Sequence, residues 1–331
     1  MRDPGIHWQT KTTASTLLLP LSWLYCLLVG VRRLAYRSGV LRTQRLPVPV
    51  IVVGNLTVGG TGKTPLVIWL VDLMRAHGWR PGIVTRGYGG RQTHWPVPVT
   101  PDSDPALVGD EPVLLARRSG CPVAAGPDRA ADAHMLLRDH GCDLIISDDG
   151  LQHYALGRDI DIAVVDGARR YGNQRCLPAG PLREPLSGLR RVHARVTNGN
   201  PLEGEIGMQL EADALHNLGT GQTLAVSAIS THGPVHAVAG IGHPARFFQQ
   251  LRRLGVEVIE HAYADHHPYV AADITFPGNT MVIMTEKDAV KCRAYAQAHH
   301  WYLAVSARPE TRLASLILNL LEEKRRGQKT T

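Results

Sequence analysis

A β-branched run, a glycine loop and a helix start stand in immediate succession, and together they constrain this chain more than any other feature. Val48-Pro-Val-Ile-Val-Val53 reads as a short buried strand, and Pro65 to His77 reads as an amphipathic helix. Thr57-Val58-Gly59-Gly60-Thr61-Gly62-Lys63-Thr64 joins them. Glycines let such a loop fold tightly, so that its N–H groups point inward at an anion, and the helix N-terminus adds partial positive charge. In this pattern the lysine, Lys63, reaches the β- and γ-phosphates of a nucleotide, while the hydroxyl of Thr64 can ligate Mg2+. The strict G-x-x-x-x-G-K-[ST] spacing asks for glycine where this chain has Thr57, and the paired Gly59-Gly60 supplies the missing freedom. Residues 57–64 are therefore the expected binding loop for MgATP.

The surrounding pattern agrees with a layered α/β fold. Strand candidates at Gly82–Thr85, Pro122–Ala125, Asp143–Ser147 and Ile160–Val165 alternate with helical stretches around Pro112–Ser119 and Arg129–His140. Strands separated by helices imply a mostly parallel sheet flanked by helices. Segment 170–205 is rich in Gly, Pro and Arg and reads as loops at a junction. A second alternating series follows, with strands at Ala225–Ala228, Val235–Gly240, Val256–Tyr263, Met281–Thr285 and Tyr302–Val305. Its helices are expected at 244–254 and from Pro309 to about Arg325. The expected organisation is a leader over 1–47, a P-loop nucleotide-binding domain over 48–205, and a smaller α/β domain over 206–331 that closes over the site.

The leader has its own signature. From Ala14 to Val31 no residue is charged, and Arg32, Arg33, Arg37, Arg42 and Arg45 follow. The stretch is short for a bilayer span and is interrupted by Pro20. No small-residue cleavage site follows it, as a signal peptide would require. A membrane-surface helix with arginines among anionic headgroups is the expected arrangement, at roughly 1 kcal/mol per arginine. The net charge of +7 favours anionic partners. Aromatic residues make up only 5% and do not interleave with a basic run, so nucleic acid is not an expected partner. Five scattered cysteines without a C-x-x-C pair exclude a disulfide framework or zinc knuckle as the organising principle.

Acidic residues complete the chemistry. Asp148-Asp149 follows the buried run Asp143-Leu-Ile-Ile-Ser147, where a P-loop protein holds its metal. Gly109-Asp110-Glu111-Pro112 sits at a helix start, where N-capping and catalysis make equal demands on Asp110. The Gly240-Ile-Gly242 turn matches a dinucleotide fingerprint only loosely.

In order along the chain, Val53–Pro65, Thr85-Arg-Gly-Tyr88, Gly109-Asp-Glu-Pro112, Asp148-Asp-Gly-Leu-Gln-His153, Pro178–Glu184, Gly240–Gly242, Asp265-His266 and Thr285-Glu-Lys-Asp288 resemble the tetraacyldisaccharide 4′-kinase family. The resemblance implies transfer of the ATP γ-phosphate to the 4′-hydroxyl of an acylated glucosamine disaccharide 1-phosphate in lipid A synthesis. It also implies a monotopic protein at an anionic surface, the cytoplasmic face of the bacterial inner membrane. Carried over residue by residue, Asp110 would be the base and His266 its helper, with His267 next to it as the competing imidazole. Lys63 would serve the phosphates, Glu111, Asp148 and Asp149 with Thr64 would form the metal shell, and Arg183 and Glu184 would contact the glycolipid. The competing function is a membrane-associated P-loop GTPase or ATPase switch. Guanine recognition uses an [NT]-K-x-D motif, and in Thr285-Glu286-Lys287-Asp288 the lysine falls one place late.

Overall fold

The computed structural model describes residues 8–231 and 233–329. In chain order its helices and strands are α1 (Thr13–Leu17), α2 (Leu19–Arg37), β1 (Val50–Gly54), α3 (Lys63–Ala76), β2 (Pro81–Thr85), β3 (Val97–Val99), α4 (Pro105–Val108), α5 (Asp110–Ser119), β4 (Val123–Ala125), α6 (Arg129–His140), β5 (Leu144–Asp148) and β6 (Ile160–Asp166). Then come β7 (Ala194–Asn198), β8 (Ile206–Asn217), β9 (Thr223–Ala225), β10 (Val235–Ala239), α7 (Pro244–Arg253), β11 (Val258–Ala262), β12 (Val282–Thr285), α8 (Glu286–Cys292), β13 (His300–Pro309) and α9 (Thr311–Lys329).

All of these strands belong to one sheet in the order β11-β10-β12-β13-β8-β7-β6-β1-β5-β2-β4-β3, with β9 alongside β8. Among the described residues only β3–β4, β8–β9 and β8–β13 pair antiparallel. Parallel strands covered on both faces need apolar side chains in both directions, and Val50, Ile51, Val52 and Val53 are all buried accordingly. One face of β1 packs under α3 through Leu66, Leu70 and Met74, and the other packs beneath α6 through Ala133 and Leu136. A separate core around Phe248, Leu251 and Ile283 fills the space beneath α7 in the second half.

The sheet runs without a break through residue 205, because β7 pairs with β8 from Val196↔Ile206 to Asn198↔Met208. Both strands lie where the sequence pattern indicated loops or nothing. Gln209, Glu211 and Asp213 give β8 low strand propensity. Tertiary partners override it: β13 pairs along the strand, and Arg308 and Ser306 meet Glu211 and Asp213. The expected strand at 225–228 ends at Ala225 and continues as a 3-10 turn.

Among the described residues no helix is long and apolar enough to cross a membrane. Helix α2 lies against the 172–184 loop, where Ser22 Oγ donates to the Cys176 carbonyl at 2.8 Å and Tyr25 Oη donates to the Arg183 carbonyl at 2.8 Å. Its opposite stripe of Leu21, Trp23, Leu24, Leu27, Leu28 and Val31 is more than half exposed at every position.

Candidate active site

The carboxyl ends of β1, β2, β5 and β12 open on a cleft of about 1010 Å³ that is roofed by α2 on one side and by the 240–267 loops on the other. The glycine loop forms its floor. Gly59 and Gly62 take left-handed backbone angles (φ 95° and 96°), and Gly62 caps α3. Thr57 needs no such freedom. It is buried and bridges to Leu182 as an extended residue, while Val58 N–H donates to the Pro181 carbonyl at 2.9 Å. The departure from the strict motif is thus absorbed by pairing with the 176–184 loop. Val58, Gly59, Gly60, Thr61, Gly62, Lys63 and Thr64 all line the cleft, whereas Thr57 stands behind them.

Residues outside the motif hold this loop. Asn55 donates to the Gly59 carbonyl at 3.2 Å and accepts from Lys63 Nζ at 3.3 Å. Arg169, itself held by Asp166, donates to the Gly60 carbonyl, and Asn198 donates to the Thr61 carbonyl at 3.2 Å. Asp166 and Asn198 end β6 and β7, next to a second pocket of about 480 Å³ that also reaches His243 and Arg246. The weak periodicity of 170–205 hid β7, and with it this support from the neighbouring strand ends.

Asp110 is 4% exposed at the start of α5. Gly109 before it has φ 95°, and a Cβ there would meet the Tyr88 carbonyl at 2.6 Å, so only glycine lets the chain turn into the helix at this point. The His266 ring comes from the second half, on a residue with φ 60°, and places Nδ1 3.1 Å from Asp110 Oδ2 and 3.2 Å from Oδ1. Burial opposes charge on Asp110, but the His266 hydrogen bond and the nearby Lys287 and Lys291 outweigh it and hold the carboxyl below its ordinary value. The same hydrogen bond raises His266 above the usual histidine value against burial and Lys287. His267 faces elsewhere: it meets Asp273 at 3.0 Å and stacks on Tyr263. His266 is therefore the imidazole at the site.

Lys287 lies among these groups, with Nζ 3.0 Å from Glu111, 3.4 Å from Asp265 and 3.4 Å from His266 Nε2. Burial works against its charge, yet Glu111, Asp110 and Asp265 hold its pKa above the lysine norm. The sequence motif containing it is one of the blocks that resemble the kinase family, where Lys287 itself has no assigned role, and it also carries a loose likeness to guanine recognition. That likeness fails structurally, because Asp288 is fully buried and accepts from Gly240 N–H at 2.9 Å and Thr285 Oγ1 at 2.6 Å.

The paired aspartates separate in role. Asp149, at φ 51°, meets Lys63 at 3.5 Å and Arg183 Nη1 at 2.8 and 2.9 Å; these cations overcome its burial and lower its pKa. Asp148 is buried, neither carboxylate oxygen has a hydrogen-bond partner, and burial together with Glu111 pushes its pKa up. A buried carboxylate without a partner fits a cation. Among the described residues no three His, Cys, Asp or Glu side chains converge as a metal cage. Mg2+ needs less, because it keeps several waters and takes one or two protein ligands beside substrate phosphates. Asp148 and Thr64 fit that demand, while Glu111 and Asp149 are engaged by Lys287 and Lys63. Arg183 lines the cleft, but Glu184 turns away: it is buried and bonds to Gln152 at 2.8 Å and Arg191 at 2.5 Å. That network fixes the loop and takes up the carboxylate expected to meet the glycolipid.

A glycine loop on a parallel sheet, with an acid–imidazole pair assembled across its mouth, defines a P-loop phosphotransferase. The model of the family described as tetraacyldisaccharide-1-P 4′-kinase matches residues 14–322. The chain belongs to that family. It is 50% identical to the tetraacyldisaccharide 4′-kinase of Nitrosococcus oceani over 96% of this chain and 94% of that protein. It is 55% identical to the one of Alkalilimnicola ehrlichii over 88% of each. Among solved structures, the "apo" form of LpxK from Aquifex aeolicus in complex with ATP superposes with a TM-score of 0.81 at 30% identity, covering 93% of this chain and all of that one.

Proposed function

We propose that the protein transfers the γ-phosphate of MgATP to the 4′-hydroxyl of a tetraacylated glucosamine disaccharide 1-phosphate at a membrane surface. The contact of Asp110 with His266 carries this reading, because it sets a buried carboxylate against an imidazole that lines the same cleft as the P-loop lysine. Asp110 accepts the proton of the 4′-hydroxyl as the new oxygen–phosphorus bond forms and the bond to the β-phosphate oxygen breaks, releasing ADP. In a loose phosphoryl-transfer transition state positioning dominates, so a carboxylate of low basicity suffices. His266 aims that carboxylate, and Lys63 and Arg86 face the transferring phosphoryl group. When bound, Mg2+ neutralises phosphate charge, with Asp148 and Thr64 as the side chains that would hold it. The pocket at the ends of β6 and β7 takes the nucleoside, in keeping with ligand binding at the carboxyl ends of parallel strands. The exposed stripe of α2 and the arginines after it support a monotopic seat on an anionic bilayer, the cytoplasmic face of the inner membrane. The test is transfer of labelled phosphate from ATP to the acylated disaccharide 1-phosphate in detergent micelles. Lys63→Ala should abolish labelling, and Asp110→Ala should lower it roughly 10²–10⁴-fold. Nucleotide hydrolysis without lipid labelling would instead favour a membrane-bound nucleotide switch.

A further inference from the structure

The cleft's cations are not equally engaged. Lys63 and Arg183 share Asp149, Lys287 holds Glu111 and Asp265, and Arg129 is buried on the Gly126 carbonyl. Among the described residues, Arg86 and Arg32 line the cleft with no carboxylate within ion-pair distance. Arg86 follows β2 directly, two residues before Tyr88, whose ring packs on His266, and it is the arginine assigned above to the transferring phosphoryl group. Arg32 comes from α2, and its guanidinium lies 6.0 Å from the Tyr154 ring centroid and 5.9 Å from that of Tyr36. Two further arginines pack on Tyr154, but each has its own acid: Arg158 has Asp161 and Arg191 has Glu184. His153 lines the same wall with its Nε2 buried and unpartnered; burial first, then Arg129, Arg158 and Arg32, push it down to about 4, so it is neutral.

Helix spacing adds a second constraint. Arg32 lies one turn beyond Leu28 and two turns beyond Tyr25, so one edge of α2 borders both the exposed apolar stripe and the cleft. An acceptor with acyl chains beside that stripe and its 4′-hydroxyl at Asp110 has its other sugar, the one bearing the 1-phosphate, nearer α2. We infer that Arg32, beside the Tyr154 ring, forms the subsite for the acceptor's 1-phosphate and sets the preference for a phosphorylated headgroup. This rests on the kinase reading above. A guanidinium is suited to it, since it binds phosphate oxygens in fork geometry. The same chemistry would hold a bilayer phosphate, and the experiment separates the two sources.

The experiment compares kcat/KM for the acylated disaccharide 1-phosphate and for its 1-hydroxyl analogue in neutral detergent micelles. Arg32→Gln should lower the value for the 1-phosphate by roughly tenfold to a hundredfold while leaving the 1-hydroxyl analogue within about twofold. Arg32→Lys should recover part of the loss, and Arg37→Gln, on the same helix outside the cleft, should leave the ratio of the two acceptors unchanged. Equal loss on both acceptors, or loss on neither, overturns the assignment. Equal loss together with weaker co-sedimentation on phosphatidylglycerol vesicles would place Arg32 on bilayer phosphates. Failure of the kinase reading looks different, since wild type would then label neither acceptor.

Discussion

Breaking the ion pair between Arg118 and Glu286 should destabilise the fold, and the cost should depend on pH. Arg118 is on α5, which begins at Asp110, and Glu286 opens α8 immediately before Lys287, so the pair joins the two sides of the active site. Arg118 Nη1 lies 2.7 and 2.9 Å from the two carboxylate oxygens, and the side chains are only 22% and 11% exposed. That is the regime of buried pairs, where removing one partner costs about 3–5 kcal/mol. The partial exposure of Arg118 puts Arg118→Met near the lower end, at about 3 kcal/mol. With about 2.1 cal/mol/K of unfolding entropy per residue, the chain unfolds with about 0.7 kcal/mol/K, so the midpoint should fall by about 4 °C. Burial already raises the pKa of Glu286 while Arg118 opposes the shift. Without Arg118 the folded state would bind the Glu286 proton still more tightly than the unfolded state does. The sign follows: stability falls as pH rises through that window, so the loss should be smaller near pH 5 than near pH 8. Adding Glu286→Gln should recover part of the loss, because no unpaired charge then remains. Thermal melts of both variants at the two pH values decide it. A double variant no more stable than the single, or a cost below about 1 kcal/mol, would show that the pair behaves as a surface contact.

The remaining expectations concern the loop and the dyad. Gly62→Ala would put a Cβ 2.8 Å from Asn198 Nδ2 on a residue at φ 96°, which costs about 1–2 kcal/mol in backbone strain alone and displaces the support of the Thr61 carbonyl. Lipid phosphorylation should fall at least about tenfold, and full activity would show that the loop tolerates a side chain there. Because the Asp110 pKa is depressed, the carboxylate stays charged to below its ordinary value of 3.8, and stability drawn from it is lost only as pH falls through the folded value. His266→Ala removes the leading cause of that depression while burial remains, so the acid limb of kcat/KM should move to higher pH. An unmoved limb would mean that another group titrates in it.

The strands that carry the phosphate site were legible because they are buried on both faces: Val50–Val53 and Leu144–Ile146 are apolar without interruption. Helix α6 lies where the sequence pattern placed a helix, around Arg129–His140, and the structure adds that the Asp128 side chain caps it and Gly141 ends it. What escaped the sequence depends on partners distant in the chain. β8 carries Gln209, Glu211 and Asp213 in its middle and becomes a strand through its pairing with β13, and β7 lies inside a segment of weak periodicity. The same limit applies to the site. Asp110, His266 and Lys63 could be named from motif blocks, but nothing local distinguishes His266 from His267, and only the turn at φ 60° decides which ring meets Asp110. Glu184 was named with Arg183 from one motif block, and nothing local shows that Arg183 meets Asp149 while Glu184 is buried against Gln152 and Arg191.

The sheet's continuity bears on catalysis itself. Asp110 and Glu111 come from the half built on the glycine loop, His266 and Lys287 come from the other, and their contacts close over the mouth of the same cleft. The parallel seam at β7–β8 is short, three residue pairs from Val196↔Ile206 to Asn198↔Met208. Asn198 at its end also holds the Thr61 carbonyl and accepts from Arg246 at 2.8 Å. A shift of one half against the other would therefore disturb the dyad and the phosphate loop together. Positioning contributes several kcal/mol to phosphoryl transfer, so residues such as Asn198 and Arg118, which touch no reacting atom, should affect rate as strongly as they affect stability.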